Sequence, residues 1–243
     1  MKLSTGQLVR PAFVFLLTLL TAAAASAQTN DTGSISLQGS VSGFVEVRAG
    51  GAATITGGGT ITNNKAKGDR LDSPTTLTIN FGDVGPSNAN NFVTAVVPLR
   101  LRSNVSYTLR MSAAAMTYGS GTPDASSVTL ADIGFGVTSA VRDSGSGVAS
   151  GTDTIAATAS GDPTSAARGS VNATTGRYTY VTGASLANYT TSTTIVSGPR
   201  IMNAMVPTGN TSGLVILTTF AIKPQFFTPG SFSTSVTFTV SNP

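Results

Sequence analysis

The chain has 243 residues, 40% hydrophobic and 10% charged, with a formal net charge of +4, no Cys, no His, no Trp and a single Glu, Glu46. That charged fraction is well below the about 25% of an average globular domain, and the length suits one domain or two small ones with enough apolar material for a core. Lacking Cys and His, the chain cannot build zinc hydrolase sites, haem sites, cysteine proteases, Ser-His-Asp triads or disulfides.

Lys2 and Arg10 precede an apolar run from Phe13 to Leu20, and Ala22 to Ala27 supply small residues before polar Gln28. This order is that of a Sec-type secretory signal peptide cleaved after Ala27. The run is shorter than the ~20 apolar residues of a membrane span, so no stable transmembrane anchor is expected. The expected location is secreted, periplasmic or at a bacterial cell surface. Residues 28–243 retain 12 Lys/Arg against 10 Asp/Glu, a nearly balanced chain. Lys65, Lys67 and Arg70 form one basic cluster and Arg100 and Arg102 another, both read as solvated surface. Neither is dense or aromatic enough for nucleic acid, and no nucleic-acid partner is expected.

Ile35, Leu37, Val41, Val45 and Val47 fall on alternate positions, which predicts a half-buried strand over Ile35–Val47. Gly50 to Asp72, with Gly57-Gly58-Gly59 at its middle, reads as a long hairpin or flexible excursion. Leu77, Ile79 and Phe81 alternate again. Val93 to Arg102 and Val105 to Met111 read as strands joined by a tight hairpin at Ser103-Asn104, and Pro98 points to an edge position or a bulge. In Ile133-Gly-Phe135-Gly-Val137 the glycines leave room for a neighbouring backbone or ring. Asp143 to Arg168 predicts exposed loops or short edge strands. Tyr178, Tyr180 and Val181, then Ile195 and Val196, suggest two more strands. Leu214 to Ile222 is a long apolar strand, and Phe232, Val236, Phe238 and Val240 alternate with Ser and Thr to the end. No window past the signal peptide has helical spacing. The expected fold is all-β, an immunoglobulin-like Greek-key β-sandwich over 28–243, with insertions at about 50–72 and 143–170.

Leu77-Thr-Ile-Asn-Phe81-Gly82, Val97-Pro-Leu-Arg-Leu101 through Tyr107-Thr-Leu109, and Pro229-Gly230-Ser-Phe232 through Val236-Thr-Phe238-Thr-Val240 resemble the exported β-sandwiches of the bacterial spore coat protein U and chaperone–usher pilin group. The similar runs cover about a third of residues 28–243. The early-strand disulfide of that family corresponds here to Phe44 and Leu101, so an apolar contact would stand in for the bridge. Phe232 replaces a Tyr, and Ser112 to Gly213 is longer than the family's counterpart. The resemblance implies a fimbrial or coat-like structural subunit that assembles with copies of itself or related subunits, with a periplasmic chaperone among its partners. Its strand pairing would use Ile35, Leu37, Val41, Val45, Val47, Phe232, Val236, Phe238 and Val240. Gln28 to Ser34 carry no apolar residue for a hydrophobic groove, so either Ile35–Val47 is donated or the chain completes its own sandwich; the second is favoured.

No catalytic residue, metal site or cofactor is expected. Asp69, Asp72, Asp143, Asp153 and Asp162 lie in polar loops without a calcium-loop motif and read as turn formers. Gly57-Gly58-Gly59 is followed by no Walker Lys-Ser/Thr and reads as a turn. The Asn-x-Ser/Thr triplets at Asn30, Asn104, Asn172, Asn188 and Asn210 are chance products of a Ser/Thr-rich chain. The leading expectation is an exported non-enzymatic structural protein. The alternative is an adhesin or lectin-like module whose 143–213 loops bind a polysaccharide through Tyr178, Tyr180, Asn188 and Tyr189.

Overall fold

From Val45 onward, apolar residues at every second position turn one face of the longer strands inwards. The computed structural model describes residues 38–40, 42–119, 123–145, 147–203 and 212–243. The strands in order are β1 (Val45–Ala49), β2 (Thr54–Thr56), β3 (Thr60–Thr62), β4 (Thr78–Asn80), β5 (Val93–Ser103), β6 (Tyr107–Ala113), β7 (Thr117–Tyr118) and β8 (Ile133–Arg142). There follow β9 (Thr154–Ile155), β10 (Gly169–Val171), β11 (Tyr178–Tyr180), β12 (Thr193–Gly198), β13 (Leu214–Ile222), β14 (Phe232–Ser233) and β15 (Val236–Ser241). The described helical elements are single 3₁₀ turns at Leu130–Asp132 and Leu186–Tyr189.

The fold is an all-β sandwich. One antiparallel sheet runs β1-β5-β13-β8, with β2 also on β5; the other runs β15-β6-β12-β9. The inward rows Val93, Val97, Leu99 and Leu101 of β5, Tyr107, Leu109 and Met111 of β6, and Leu214, Ile216 and Ile222 of β13 meet in one buried cluster. Each such side chain contributes on the order of 2 kcal/mol by leaving water. Thr218, fully buried in the β13 row, offsets its hydroxyl by donating to the Val97 carbonyl at 2.7 Å. The whole sandwich lies within one compact unit, Ser42–Pro243.

Several sequence expectations need correction. Of the strand expected over Ile35–Val47, the described residues are in strand from Val45 on, within β1, and 38–40 and 42–44 are not; Ile35, Leu37 and Val41 lie outside the described residues. Ser103-Asn104 joins no hairpin, because β5 and β6 belong to opposite sheets. Leu101 and Tyr107 both point into the core, so the chain must cross between the layers. The Ser103 hydroxyl steadies the crossing, donating to the Val105 carbonyl at 2.5 Å and accepting the Val105 N–H at 3.1 Å. Pro98 lies in a central strand with no bulge at its position. Its carbonyl accepts the Gly50 N–H at 2.8 Å, so the side that lacks a donor faces the break where Gly50 and Gly51 lead the chain from β1 to β2. Phe44 and Leu101 do not meet. Phe44 lies beside Asn104, donating its N–H to Oδ1 at 2.7 Å, while Leu101 is paired with Val47.

The glycines of β8 do what their spacing suggests. A Cβ on Gly134 would lie 2.4 Å from the Tyr180 ring, and one on Gly136 would lie 1.9 Å from the Gly161 carbonyl oxygen. The Gly57-Gly58-Gly59 excursion is a defined turn with φ of 81°, 119° and 84°; the Asn88 and Asn90 amides both donate to the Gly57 carbonyl at 3.0 Å.

Candidate functional site

β1 and β15 end the two sheets on the same side of the sandwich and come within 8 Å of each other. Their inward residues, Val45 and Val47 on one and Val236, Phe238 and Val240 on the other, pack on the core yet stay half-exposed, whereas the inward rows of β5 and β6 are fully buried. Among the described residues, nothing seals the sandwich along this seam.

Backbone direction follows from the flanking bonds. On β1, Ala49 donates to the Asp69 carbonyl and accepts from Gly68 N, both at 2.9 Å, on the edge away from β5. Val47 and Val45, two and four residues back, turn their N–H and C=O groups to that same edge, and no backbone partner meets them among the described residues. On β15, the Ser235 carbonyl accepts Ala114 N at 2.9 Å on the β6 side. Val236, Phe238 and Val240 alternate with it, so their backbone groups face outwards. Among the described residues the seam thus presents two edges without backbone partners, bordering a strip of apolar side chains, an arrangement suited to β-strand addition.

The structure brings five of the nine expected pairing residues to this seam: Val45, Val47, Val236, Phe238 and Val240. Phe232 lies elsewhere. The alternation breaks at Thr234-Ser235, and Phe232 pairs with Tyr118 in the separate β7–β14 ribbon.

The tyrosines expected to meet a glycan are used for packing, which corrects that reading. Tyr189 is fully buried, with its ring edge-on to Phe135 at 5.0 Å and its hydroxyl donating to the Gly183 carbonyl at 3.0 Å. Tyr178 is buried and stands edge-on to Phe92 at 5.4 Å and to Tyr180 at 5.2 Å. Tyr180 covers Gly134 and donates to the Ala221 carbonyl at 3.0 Å. Burial pushes all three phenols above their ordinary pKa. Asn188 is turned back on Ser185, its amide donating to the Ser185 hydroxyl at 3.1 Å.

The loop aspartates hold turns and ion pairs. Asp69 accepts Ala66 N at 2.9 Å, Asp162 accepts Thr164 N at 2.8 Å, and Asp143 accepts Gly213 N at 2.9 Å. Asp72 faces Arg70 at 3.4 Å, both exposed, and that hydrogen bond draws its carboxyl below the usual range. Among the described residues no three Asp or Glu come together.

Asp153 is different, and nothing in its sequence neighbourhood foretells its role. Arg142 grips it through Nε at 2.7 Å and Nη2 at 2.8 Å, and Tyr107 donates its hydroxyl to Oδ1 at 2.7 Å. The remaining Arg142 donors go to the carbonyls of Ala149, Arg200 and Pro199 at 2.7, 2.9 and 3.0 Å. All five N–H groups are thereby occupied. Gly198 leaves the space: a Cβ there would lie 2.3 Å from Asp153 Oδ1. Arg142 belongs to one sheet while Tyr107 and the Asp153–β9 segment belong to the other, so this cluster ties the two layers polar group to polar group.

The basic clusters also need correction, since Lys65 is 6% exposed and Arg100 3%. Arg100 lies directly across from Arg48 in the β1–β5 register, next to the Glu46–Arg102 pair. Loop residue Gly68 covers it, and burial, with Arg102 and Arg48 adding repulsion, lowers its pKa. No helix among the described residues is long and apolar enough to cross a membrane. No protein-family model and no curated protein matches the chain.

Proposed function

We propose that this chain is an exported, non-enzymatic structural or surface subunit that assembles by β-strand pairing along the β1–β15 seam. The carrying observation is the half-exposed row Val236, Phe238 and Val240 on a strand whose outward backbone groups have no partner among the described residues. An incoming strand gains main-chain hydrogen bonds and covers that row at once. Export rests on the sequence of residues 1–27. The pilin-like or coat-like character and the immunoglobulin-like reading rest on the motif resemblance and on the neighbour sets β5–β13–β8 and β15–β6–β12. In chain order, however, β8 comes before β12, so the middle of the chain changes sheets twice.

Spacing limits how assembly works. A strand bonded to both edges needs about 9.6 Å between them, twice the usual inter-strand distance. Cα atoms of β1 and β15 lie closer than that, within 8 Å of one another, so a neighbour's strand pairs with one edge while the chain's own two edges pack on each other. β15 is the better acceptor, because the Ala49 end of β1 is already covered by Gly68 and Asp69.

Val240→Pro tests this, because it removes a donor that faces away from β6 and leaves the β6 ladder whole. Sedimentation and electron microscopy of residues 28–243 are expected to show concentration-dependent oligomers or fibres, lost in Val240→Pro with unchanged circular dichroism. A parent that stays monomeric at every concentration, or a variant that assembles like the parent, rejects the proposal.

A further inference from the structure

The two basic clusters, 30 or more residues apart in the chain, meet at one face of the β1–β5 sheet. Lys65, Lys67 and Arg70 come from the loop that closes over β1, while Arg48, Arg100 and Arg102 come from the sheet beneath it. Around them lie Glu46, Asp69, Asp72 and Asp143. Six cations face four acids here, and the remaining residues of 28–243 carry six of each, so the whole positive excess of that span is concentrated in this region.

Between the loop and the sheet is a cleft of about 380 Å³, lined by Arg48, Asn63, Lys65, Arg70, Ser73 and Thr75 among others. Asp69 is the single acid in its wall. The Lys65 ammonium donates to the carbonyls of Ser73, at 3.3 Å, and Thr75, and no carboxylate lies within ion-pair distance of it among the described residues. Arg48 gives Nε to Glu46 and Nη1 to the Gly68 carbonyl at 3.1 Å. Arg70 uses only Nε, on Asp72 at 3.4 Å. The Arg48 Nη2 group and both terminal nitrogens of Arg70 therefore remain as donors without a protein acceptor among the described residues.

We propose that this cleft binds an acidic polysaccharide, with the free guanidinium donors of Arg48 and Arg70 on a uronate carboxylate and the Asn63, Ser73 and Thr75 groups on neighbouring sugar hydroxyls. Guanidinium forks match a planar carboxylate two bonds at a time. The volume falls within the range of small-ligand sites. The lining holds no Phe or Tyr, so it offers no platform for stacking bases, and this separates a sugar acid from a single-stranded nucleic acid. The cleft is independent of the β15 edge, and its failure would leave the assembly proposal standing.

The test is calorimetric titration of residues 28–243 with polygalacturonate at low salt, beside neutral dextran and oligothymidylate. Arg70→Gln is the working variant, because its side chain is 63% exposed and its loss leaves the fold unburdened. Arg110→Gln, an exposed arginine on β6 in the other sheet, is the control. The expected result is binding of polygalacturonate alone, weakened about three- to tenfold by Arg70→Gln and left unchanged by Arg110→Gln, with both variants folded by circular dichroism. No binding, equal weakening by the two variants, binding of dextran as tight as that of polygalacturonate, or tighter binding of oligothymidylate each overturns the proposal.

Discussion

Asp153 shows how one side chain can carry the registration of two sheets. Its side chain is 5% exposed, it is held by two Arg142 bonds and the Tyr107 hydroxyl, and the Arg142 pKa is raised chiefly by that contact. A buried pair of this kind adds little over a well-packed apolar contact, but removing one partner strands the other charge away from water. Asp153→Asn is therefore expected to cost about 3 kcal/mol in urea unfolding, with Arg142→Met in the same background recovering part of the loss. A cost below about 1 kcal/mol, the level of an exposed pair, would show that the cluster does not tie the layers. The Arg177–Asp132 pair, with Nη2 to Oδ2 at 2.8 Å and the guanidinium 5.0 Å over the Phe227 ring, instead fastens the β10–β11 ribbon, just before β11, to the turn that leads into β8.

At the scale of elements, β5 is the spine of the fold, since β1, β2 and β13 all pair with it. A proline in such a strand usually breaks a ladder, yet Pro98 turns its missing donor to the gap between β1 and β2, past the last paired residues Ala49 and Leu99. Pro98→Ala should therefore gain no ladder bond. It should lose about 0.5–1 kcal/mol through the freer unfolded chain, read from the urea midpoint at constant slope. A variant more stable than the parent would show that the new N–H had found an acceptor and that this account of β5 is wrong. At the seam, β15 alternates as cleanly as β6, but of the two β6 alone has neighbours on both edges among the described residues, so its inward row is sealed and that of β15 is not.

For the molecule as a whole, the absence of His and Cys leaves no side chain whose ordinary pKa lies between pH 5 and 8, and the stability profile is expected to be flat there. Both ends have a direction. The carboxyls of Asp83 and Asp124 are held below the usual range, by the Ser87 and Thr228 hydroxyls respectively, so their contribution is present above about pH 4 and fades as the pH falls through their folded values. The phenols of Tyr107, Tyr180 and Tyr189 are pushed up by burial, so the unfolded chain loses protons first above about pH 10 and stability drops from there. Thermal midpoints across pH 3 to 11 should trace a plateau with an alkaline fall. A midpoint change centred near pH 6 to 7, or none by pH 11, contradicts this.

Alternation every second residue was legible in the sequence and sufficed for the all-β class, for most of β5, β6, β8, β13 and β15, and for the close approach at Gly134 and Gly136. These features depend on the two-residue period of a strand and on the space a missing Cβ leaves, both local properties. Which sheet a strand joins depends on loop closure and on how whole faces fit together. Hence the Ser103-Asn104 crossing, the central place of Pro98 and the packing use of Tyr178, Tyr180 and Tyr189 emerged only in three dimensions. The same holds for Arg142 with Asp153 and for Arg48 with Arg70: the first pair meets where the two sheets pack and the second where a loop closes over β1, and no local pattern encodes either approach.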